Sequence, residues 1–356
     1  MNFKNAFFST LTLLFLFTSC TTEEDFPPVD IPLGAYEDGV LILNQGGFGN
    51  GNASVSYLSN DLNTFQNNIF SLVNPSITLG DTAQDIGFYL NNAYIVLNGS
   101  NKIEVVNRFT MKHITTINSG LNNPRYIVFS RGKAYVTNWG NGTSTSDDFV
   151  AVINLNSNSV TASIPVVEGP EKMAVANDKI YIAHAGGFGF GNSISVINPV
   201  DNSVSSINVG DVPNSLEVNN GTLYVLCGGK PSWSGTETGG KLSKINLTNN
   251  TVSNLNFAST VHPSNIEIDG TTLYYTVDSD IYKTTTDTST LPSTSLFSTT
   301  SQGVYGVYSF AVKNDKIYVG DATDYSSDGK VHVYSTSGVL KTSKTVGVIP
   351  AGFYFN

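Results

Sequence analysis

The run Lys179-Ile180-Tyr181-Ile182 decides the fold, because variants of it recur along the 356-residue chain at a nearly constant spacing. Each copy places a tyrosine inside a short apolar run: Tyr94, Tyr135, Tyr181, Tyr224, Tyr274 and Tyr318. Successive tyrosines are 41, 46, 43, 50 and 44 residues apart. A period of this length indicates a chain built from stacked copies of one supersecondary unit.

Each copy has the pattern of a four-stranded meander. A proline stands eleven residues before four of the tyrosines, and apolar residues alternate in between, as at Leu216 and Val218. Alternation with a period of two is typical of strands. A third strand often ends in asparagine, as at Asn154 and Asn246, and a fourth strand rich in Val, Ile, Ser and Thr follows a polar turn. Such units bury a face only by stacking on one another.

The two ends of the chain complete one further unit between them. Residues 39–72 supply three predicted strands but no inner strand; these are Val40–Leu43, Ala53–Leu58 and Phe65–Leu72. Ile349–Phe355 has the pattern of an inner strand with no unit of its own to continue. Its pairing with the first unit would close a ring and leave no open sheet edge.

The sequence therefore predicts an all-β, seven-bladed β-propeller of four-stranded antiparallel blades over residues 37–356. Six blades would leave the first three strands as an appendage. Eight blades would need a further unit, for which the spacing leaves no room.

Two glycine-rich loops each contain phenylalanine: Gly46–Asn52 with Phe48, and Gly186–Asn192 with Phe188 and Phe190. Each loop lies between a second and a third predicted strand. In the count of seven units they belong to the first and fourth blades, so we expect them on the same side of the ring and nearly opposite each other. Phe48 and Phe188 are then predicted to form two walls of one mouth.

Other loops of this class are long and also contain aromatic residues, among them both tryptophans of the chain, Trp139 and Trp233, together with Tyr325. An aromatic residue in a Gly/Ser-rich loop suits an exposed binding platform. The alternative is that each loop folds over its own blade as a lid.

The residues that enter the inner strands are expected to ring the mouth of the central channel. Aligned on the tyrosines, they include Gln84, Asp85, Arg125, Tyr126, Glu171, Lys172 and Tyr308. A polar ring beneath aromatic loops fits a large ligand with an apolar face and many hydrogen-bonding groups. The alternative is a hydrated channel mouth that binds no ligand.

The N-terminus has the features of an export signal. Lys4 precedes a mostly apolar stretch, Ala6–Phe17, that is too short to span a bilayer comfortably. Leu16-Phe17-Thr18-Ser19-Cys20 resembles the lipobox of bacterial lipoproteins, which implies that residues 1–19 are a cleaved signal peptide and that Cys20 carries lipid. The acidic run that follows resembles the surface-export signal of Bacteroidetes lipoproteins. Residues 20–36 are then predicted to be a lipidated, flexible tether.

Composition excludes some functions. The formal net charge of −10 argues against a nucleic-acid partner, because binding to phosphates depends on an excess of Lys and Arg. Cys227 is the only cysteine apart from Cys20, so the mature chain is predicted to have no intrachain disulfide. We expect Cys227 to be a packed residue, since the sequence shows no activating base near it.

The repeated pattern Pro-x-x-Ile/Met, Lys-Ile-Tyr-Ile/Val and Ile-Ser-Val-Ile-Asn resembles the YVTN-type propeller repeat of bacteria, which also occurs in quinoprotein-like propellers. With the lipobox, the chain also resembles propeller surface lipoproteins of Bacteroidetes, some of which capture cobalamin for a TonB-dependent outer-membrane transporter. The resemblance implies a protein that is anchored in the outer membrane by lipid only and faces the cell exterior. The repeat itself is informative about fold rather than ligand.

Enzymatic functions have less support in the sequence. The four histidines, His113, His184, His262 and His332, lack metal-ligand spacing, although His184 is expected near the rim. Asp321, Asp324 and Asp328 do not have the spacing of an EF-hand. A metal-dependent lactonase would need several carboxylates in the channel, where the alignment places Asp85 and Glu171. We therefore expect no catalytic site, no metal site and no cofactor.

The leading hypothesis is a non-catalytic, lipid-anchored propeller that captures a small molecule at the cell surface for a TonB-dependent outer-membrane receptor. Cobalamin or another corrinoid is the candidate ligand that the resemblance implies. The alternatives are a protein-interaction scaffold on the outer membrane and a lactonase-like, metal-dependent hydrolase.

Overall fold

Seven four-stranded antiparallel sheets are arranged as the blades of a propeller. A computed structural model describes residues 33–356. The predicted signal peptide, Cys20 and most of the predicted tether lie outside the described residues.

The strands are numbered along the chain. The first part contains β1 (Gly39–Asn44), β2 (Ser54–Ser59), β3 (Phe65–Gln66), helix α1 (Ile69–Val73), β4 (Ala83–Tyr89), β5 (Asn92–Leu97), β6 (Lys102–Asn107), β7 (His113–Ile117), β8 (Pro124–Ser130), β9 (Lys133–Asn138), β10 (Phe149–Asn154) and β11 (Ser159–Pro165). The middle part contains β12 (Pro170–Ala176), β13 (Lys179–His184), β14 (Ser193–Ile197), β15 (Val204–Asn208), β16 (Pro213–Asn219), β17 (Thr222–Cys227), β18 (Lys241–Asn246) and β19 (Val252–Asn256). The last part contains β20 (Pro263–Asp269), β21 (Thr272–Val277), β22 (Asp280–Thr285), β23 (Phe297–Ser298), β24 (Ser309–Lys313), β25 (Lys316–Asp321), β26 (Asp328–Ser335), β27 (Leu340–Val348) and β28 (Pro350–Phe355).

Blades 2 to 7 are successive groups of four strands, from β4 to β27, with the inner strand first in each group. Blade 1 has the order β28-β1-β2-β3. The predicted count of seven blades and the composite first blade are therefore confirmed. Two short 3-10 helices, Ser232–Ser234 and Thr300–Gln302, lie in connections.

The repeated tyrosine packs each blade against the next one. Tyr94 of blade 2 lies in one apolar cluster with Ile127 and Val136 of blade 3. Tyr318 of blade 7 likewise lies with Val40 of blade 1, and the other four repeat tyrosines make the same kind of contact. All six side chains are at most 6% exposed. The tyrosine recurs once per unit because each unit has one such interface with its successor.

The C-terminal strand closes the ring. β28 pairs antiparallel with β1, where Leu41 is opposite Tyr354 and Ile42 is opposite Phe353. Ser309 of blade 7 donates a hydrogen bond from Oγ to the carbonyl oxygen of Pro350 (2.6 Å), which ties β28 to its other neighbour. Blade 1 thus joins the two ends of the described chain within one sheet.

The predicted third strand Phe65–Leu72 is wrong in its second half. β3 ends at Gln66, and Ile69–Val73 forms a short helix. Asn68 precedes the helix with left-handed backbone angles (φ 56°), which asparagine tolerates better than most residues. Ile69 and Phe70 are buried in the core between blades 1 and 2, so apolar burial rather than strand pairing fixes this segment.

The last residues of the predicted tether pack against the propeller. Tyr36 is buried, and its ring centroid lies 5.2 Å from that of Tyr57. Its backbone N–H donates to the carbonyl oxygen of Phe109 (2.9 Å), and its own carbonyl accepts from Asn356 Nδ2 (2.7 Å). These contacts lie at the β6–β7 hairpin, the end of the ring opposite the loops that join second and third strands. Among residues 33–356, no helix is long and apolar enough to cross a bilayer.

Deletion of residues 350–356 is expected to destabilise the whole ring rather than one blade, because it exposes the edge of β1 and removes the tie to blade 7. We expect a markedly lower midpoint of thermal unfolding by circular dichroism, and a larger hydrodynamic radius on gel filtration. Val339→Ala is the control and should cause a small change, since this exposed side chain lies in the β26–β27 turn and outside the β1–β28 ladder. An unchanged unfolding midpoint in the deletion variant would contradict the closure mechanism.

Candidate ligand-binding site

A channel of about 500 Å³ runs into the centre of the ring and is lined by residues of all seven inner strands. The predicted mouth residues Gln84, Asp85, Arg125, Tyr126, Lys172 and Tyr308 all line it. Glu171, predicted beside them, lies behind the wall in contact with Arg125. Six of these seven predicted residues therefore line the channel and Glu171 does not, while the part of these residues in binding a ligand stays a prediction.

Local irregularity at the start of the inner strands supplies these polar groups. In β8 the ladder passes from Pro124 opposite Asn138 directly to Ile127 opposite Val136, so Arg125 and Tyr126 have no ladder partner. β12 shows the same shift after Pro170. Proline has no N–H to give to the ladder, so pairing is weak at this point. After Pro124 both residues line the channel, and after Pro170 the second one, Lys172, does so.

Arg125 is fixed on two sides. Its Nε and Nη2 donate to Glu171 Oε1 (2.9 Å) and Oε2 (3.2 Å), a bidentate pair. Its Cζ also lies 4.1 Å from the centroid of the Trp139 ring, in cation–π contact. The guanidinium plane is consequently held in one orientation at the mouth.

Asp85 and its partners join three inner strands. Its Oδ1 accepts a hydrogen bond from Tyr354 Oη (2.9 Å), and its Oδ2 accepts one from the backbone N–H of Ile127 (2.9 Å). Burial raises the pKa of Asp85 to about 6, although these bonds favour the ionised form. Gln84 Nε2 donates to Tyr126 Oη (3.0 Å) beside it. Burial raises the pKa of Tyr126, so its hydroxyl stays protonated at neutral pH.

Two carboxyl groups of the inner strands were missed by the sequence analysis, and one of them, Glu267, lines the channel. Glu217 and Glu267 lie four residues after Pro213 and Pro263, at equivalent positions of neighbouring inner strands. Burial raises the pKa of both, and the charge of Glu217 raises that of Glu267 further. The Lys172 ammonium opposes both shifts. An alignment of the inner strands on their prolines would have found the two glutamates, because they are the only carboxyls at this position. The other five blades have Gly87, Val128, Ala174, Ala311 and Tyr354 there.

Aromatic side chains of neighbouring loops form pairs around the mouth. The Trp139 and Phe188 rings meet edge to face (5.9 Å between centroids), and Phe190 and Trp233 meet at a tilt (5.5 Å). The Tyr308 and Tyr325 rings also meet edge to face (5.8 Å). These pairs connect blades 3, 4 and 5 on one side of the mouth and lie within blade 7 on the other.

Exposure separates these aromatic residues. Phe48, Phe188 and Trp233 are 83%, 80% and 79% exposed, as expected for side chains that do not fold flat onto their blades. Trp139 differs from the prediction, because its ring is half-buried between Arg125 and Phe188. The sequence analysis also missed Tyr305, which is 94% exposed in the connection that enters blade 7.

The structure corrects one expectation and supports another. His184 is not a rim residue: it is buried in blade 4 with Nε2 2.8 Å from Ser195 Oγ, and burial lowers its pKa to about 4. Cys227 is buried as predicted, and burial raises the pKa of its thiol to about 12. In the part of the chain that the structure describes, no three His, Cys, Asp or Glu side chains are placed to hold a metal ion.

The sequence match extends over nearly the whole propeller. Residues 38–355 match the family model described as Domain of unknown function (DUF5074). The chain belongs to the DUF5074 family. No curated protein matches this DUF5074 chain.

Solved structures share the fold of the DUF5074 protein at low sequence identity. A quinonprotein alcohol dehydrogenase-like protein from Bacteroides thetaiotaomicron has a TM-score of 0.67 and 14% identity, with 90% of this chain and 78% of that chain covered. A putative 6-phosphogluconolactonase from Bacteroides fragilis has a TM-score of 0.63 and 12% identity, with 91% and 99% covered. A functionally unknown protein from Desulfotomaculum acetoxidans has a TM-score of 0.64 and 15% identity, with 90% and 99% covered. At these identities the similarity establishes the propeller fold alone.

The inner-strand carboxyls Glu217 and Glu267 give the DUF5074 protein a testable pH dependence. Because the pKa values of Glu217 and Glu267 are higher in the folded than in the unfolded chain, the folded state binds more protons between their unfolded and folded pKa values. Their contribution to stability is thus lost as the pH rises through this window. For Glu267→Gln we expect the urea midpoint to fall less than that of the wild type between about pH 5 and about pH 8.

The exposed Asp328 provides the control for this comparison. Asp328→Asn is expected to follow the wild-type pH profile. Parallel profiles for Glu267→Gln and the wild type would show that Glu267 titrates as an ordinary exposed carboxyl.

Proposed function

We propose that this protein is a non-catalytic binding protein that holds a solute at the mouth of its central channel. The observation that carries the proposal is the position of exposed aromatic loops around a polar channel of about 500 Å³. Pockets of this size with converging polar groups are typical of small-molecule sites.

The chemistry of the mouth favours a ligand with two kinds of surface. Phe188 and Trp233 offer large apolar faces to solvent. Below them, the channel presents the Arg125 guanidinium, the Lys172 ammonium and the Gln84 amide. A flat, largely apolar ligand with hydrogen-bonding groups at its edge fits both surfaces.

A corrinoid such as cobalamin is the specific ligand that we propose. Its macrocycle is broad and flat, and amide side chains surround it. We infer that the macrocycle lies on the aromatic loops while its polar groups reach the channel mouth. The resemblance of the repeat and of the N-terminal motif to cobalamin-capturing surface lipoproteins supports this choice.

We further propose that lipid on Cys20 anchors the protein in the outer membrane, exposed to the cell exterior, and that a TonB-dependent receptor takes the ligand from it. The chain enters the propeller at Tyr36, at the end of the ring opposite the aromatic loops. Entry at that end supports presentation of the mouth away from the anchor.

Titration with cyanocobalamin, followed by its visible absorbance and by calorimetry, tests the ligand. We expect binding at micromolar concentration or below, and about tenfold weaker binding for Phe188→Ala and for Trp233→Ala, because each removes an aromatic contact face. Val200→Ala is the matched control: this residue is also highly exposed, but it lies in the β14–β15 hairpin at the opposite end of the ring. Absence of binding at micromolar concentration would rule out the corrinoid.

Cys20→Ser tests the anchor. We expect the wild-type protein to fractionate with outer membranes and to incorporate labelled fatty acid, whereas the variant does neither because it lacks the thiol that accepts the lipid. Digestion of intact cells with added protease reports which side of the membrane the protein faces. Equal membrane association of the two proteins would contradict lipidation at Cys20.

A protein-interaction scaffold is the second candidate function, favoured by Tyr305, Phe48 and Tyr325, which extend the exposed aromatic surface beyond the channel. Aromatic residues of this kind are enriched at the centres of protein interfaces. Pull-down from outer-membrane extracts distinguishes the two functions. A scaffold should retain its partner in the absence of any small molecule, and Tyr305→Ala should weaken that retention.

A further inference from the structure

A second, much smaller pocket lies at the rim, between the loop that follows β9 and the loop that follows β13. Trp139 and Asp148 lie in its wall with Gly142, and Phe188 closes one side. Its volume of about 10 Å³ is enough for one water-sized group, so only the polar end of a larger group can enter it. The Phe188 ring lies against both Trp139 and Gly142, where an added Cβ would be 3.0 Å from Phe188 Cε2.

Two residues of the pocket wall each have a buried polar atom with no hydrogen-bond partner within residues 33–356: Trp139 Nε1 and Asp148 Oδ1. Asp148 is only 3% exposed, and its other oxygen, Oδ2, accepts from the backbone N–H of Gly169 (2.6 Å). Leaving such atoms unpaired in a buried site is unfavourable, because each has lost its contact with bulk water. The unpaired donor (Trp139 Nε1–H) and the unpaired acceptor (Asp148 Oδ1) therefore determine which chemical group the pocket binds best.

Trp139 Nε1 and Asp148 Oδ1 together favour a neutral ligand group that can both accept and donate a hydrogen bond. An indole N–H only donates, and an ionised carboxylate only accepts. An ammonium group has no lone pair for the indole N–H, and a carboxylate or phosphate group would face the charge of Asp148 and of nearby Glu168. A hydroxyl group and a primary carboxamide each satisfy both atoms.

We propose that this pocket is a ligand subsite that binds one hydroxyl or primary carboxamide group, with Trp139 Nε1–H donating to its oxygen and Asp148 accepting from its O–H or N–H. The inference deepens the proposed function and rests on it for the identity of the whole ligand. Phe188 then has two contacts with the ligand: its edge closes the pocket, and its exposed face carries the apolar part. Arg125, stacked on the Trp139 ring, orients the indole and links the subsite to the channel mouth.

Small probes test the subsite independently of the whole ligand. The chain contains two tryptophans, so ¹⁵N-labelled protein gives two indole N–H resonances, which Trp139→Phe and Trp233→Phe assign. Titration with acetamide or with methyl glucoside is expected to shift the Trp139 resonance and leave that of Trp233 unchanged. A response to acetamide alone identifies a carboxamide subsite, and a response to the glucoside alone identifies a hydroxyl subsite. Ammonium chloride and sodium acetate should shift neither resonance.

Asp148→Asn changes the chemistry of the pocket with little change in shape. Its amide oxygen can still accept from Gly169, while its NH₂ replaces the free acceptor, so the pocket then has two donors. We expect this variant to lose its response to acetamide and the glucoside and to gain one to acetate. Asp147→Asn is the matched control, because the neighbouring Asp147 accepts from the backbone N–H of Asn141 and lies outside the pocket wall. Its responses should equal those of the wild type.

The results separate this inference from the proposed function. If cyanocobalamin binds, Trp139→Phe should weaken it about three- to tenfold through the loss of one hydrogen bond, with the ring retained. If cyanocobalamin does not bind but the probes shift Trp139, the corrinoid is excluded and the subsite stands. If no probe shifts the Trp139 resonance, the inference is overturned. Exchange of magnetisation between the indole proton and bound water would then show that the pocket holds water only.

Discussion

The contact of one tyrosine with the next blade, made by blades 2 to 7, is the interaction on which the ring depends. Six such contacts follow the chain from blade 2 to blade 1, and each joins two sheets that share no backbone ladder. Burial of one large aromatic side chain contributes about 1.5–3 kcal/mol, so the six together stabilise the fold substantially. Hydrogen bonds between neighbouring inner strands add to these tyrosine contacts. Asp85 accepts one from the Ile127 N–H, and Ser215 Oγ accepts one from the Ile266 N–H. The blades are therefore held both by apolar packing at mid-radius and by hydrogen bonds near the channel.

The inner strands have two roles: they pair within the blades that form the ring, and they line the channel. Where their ladders shift after the first residue, polar side chains enter the channel and the sheet loses regular pairing. Asp85 and Glu267 line the channel, and Glu217 lies next to it in the chain segment of β16. Burial raises the pKa of all three, so their ionised forms are less stable than they would be in water. Ionisable groups that are disfavoured by burial concentrate at functional sites. The channel, rather than the blade interfaces, is accordingly where this protein departs most from the arrangement that would maximise its stability.

Much of the fold follows from the sequence because the strand pattern and the tyrosine repeat act together. The alignment on Tyr94 and its equivalents placed six residues correctly in the channel, since the register of each inner strand is fixed by its hairpin with the tyrosine strand. It misplaced Glu171 and missed Glu267. The segment after Phe65 was not predictable from alternation, because a short buried helix and a short buried strand share the same apolar composition. The burial of Trp139 was also not predictable from the local sequence, because it depends on contacts with Arg125 and Phe188 from two other parts of the chain.

The composite first blade also constrains how the protein reaches its folded state. Leu41 belongs to the first strand made and is paired with Tyr354, two residues from the end of the chain. Blades 2 to 7 contain only neighbouring segments, so they form through local contacts, whereas blade 1 requires the ends of the chain to meet. Closing so long a loop has an entropic cost, and contacts of high sequence separation slow folding. The strand β1 therefore stays unpaired on this edge until β28 has been made, and the ring closes only after Phe355 has been synthesised.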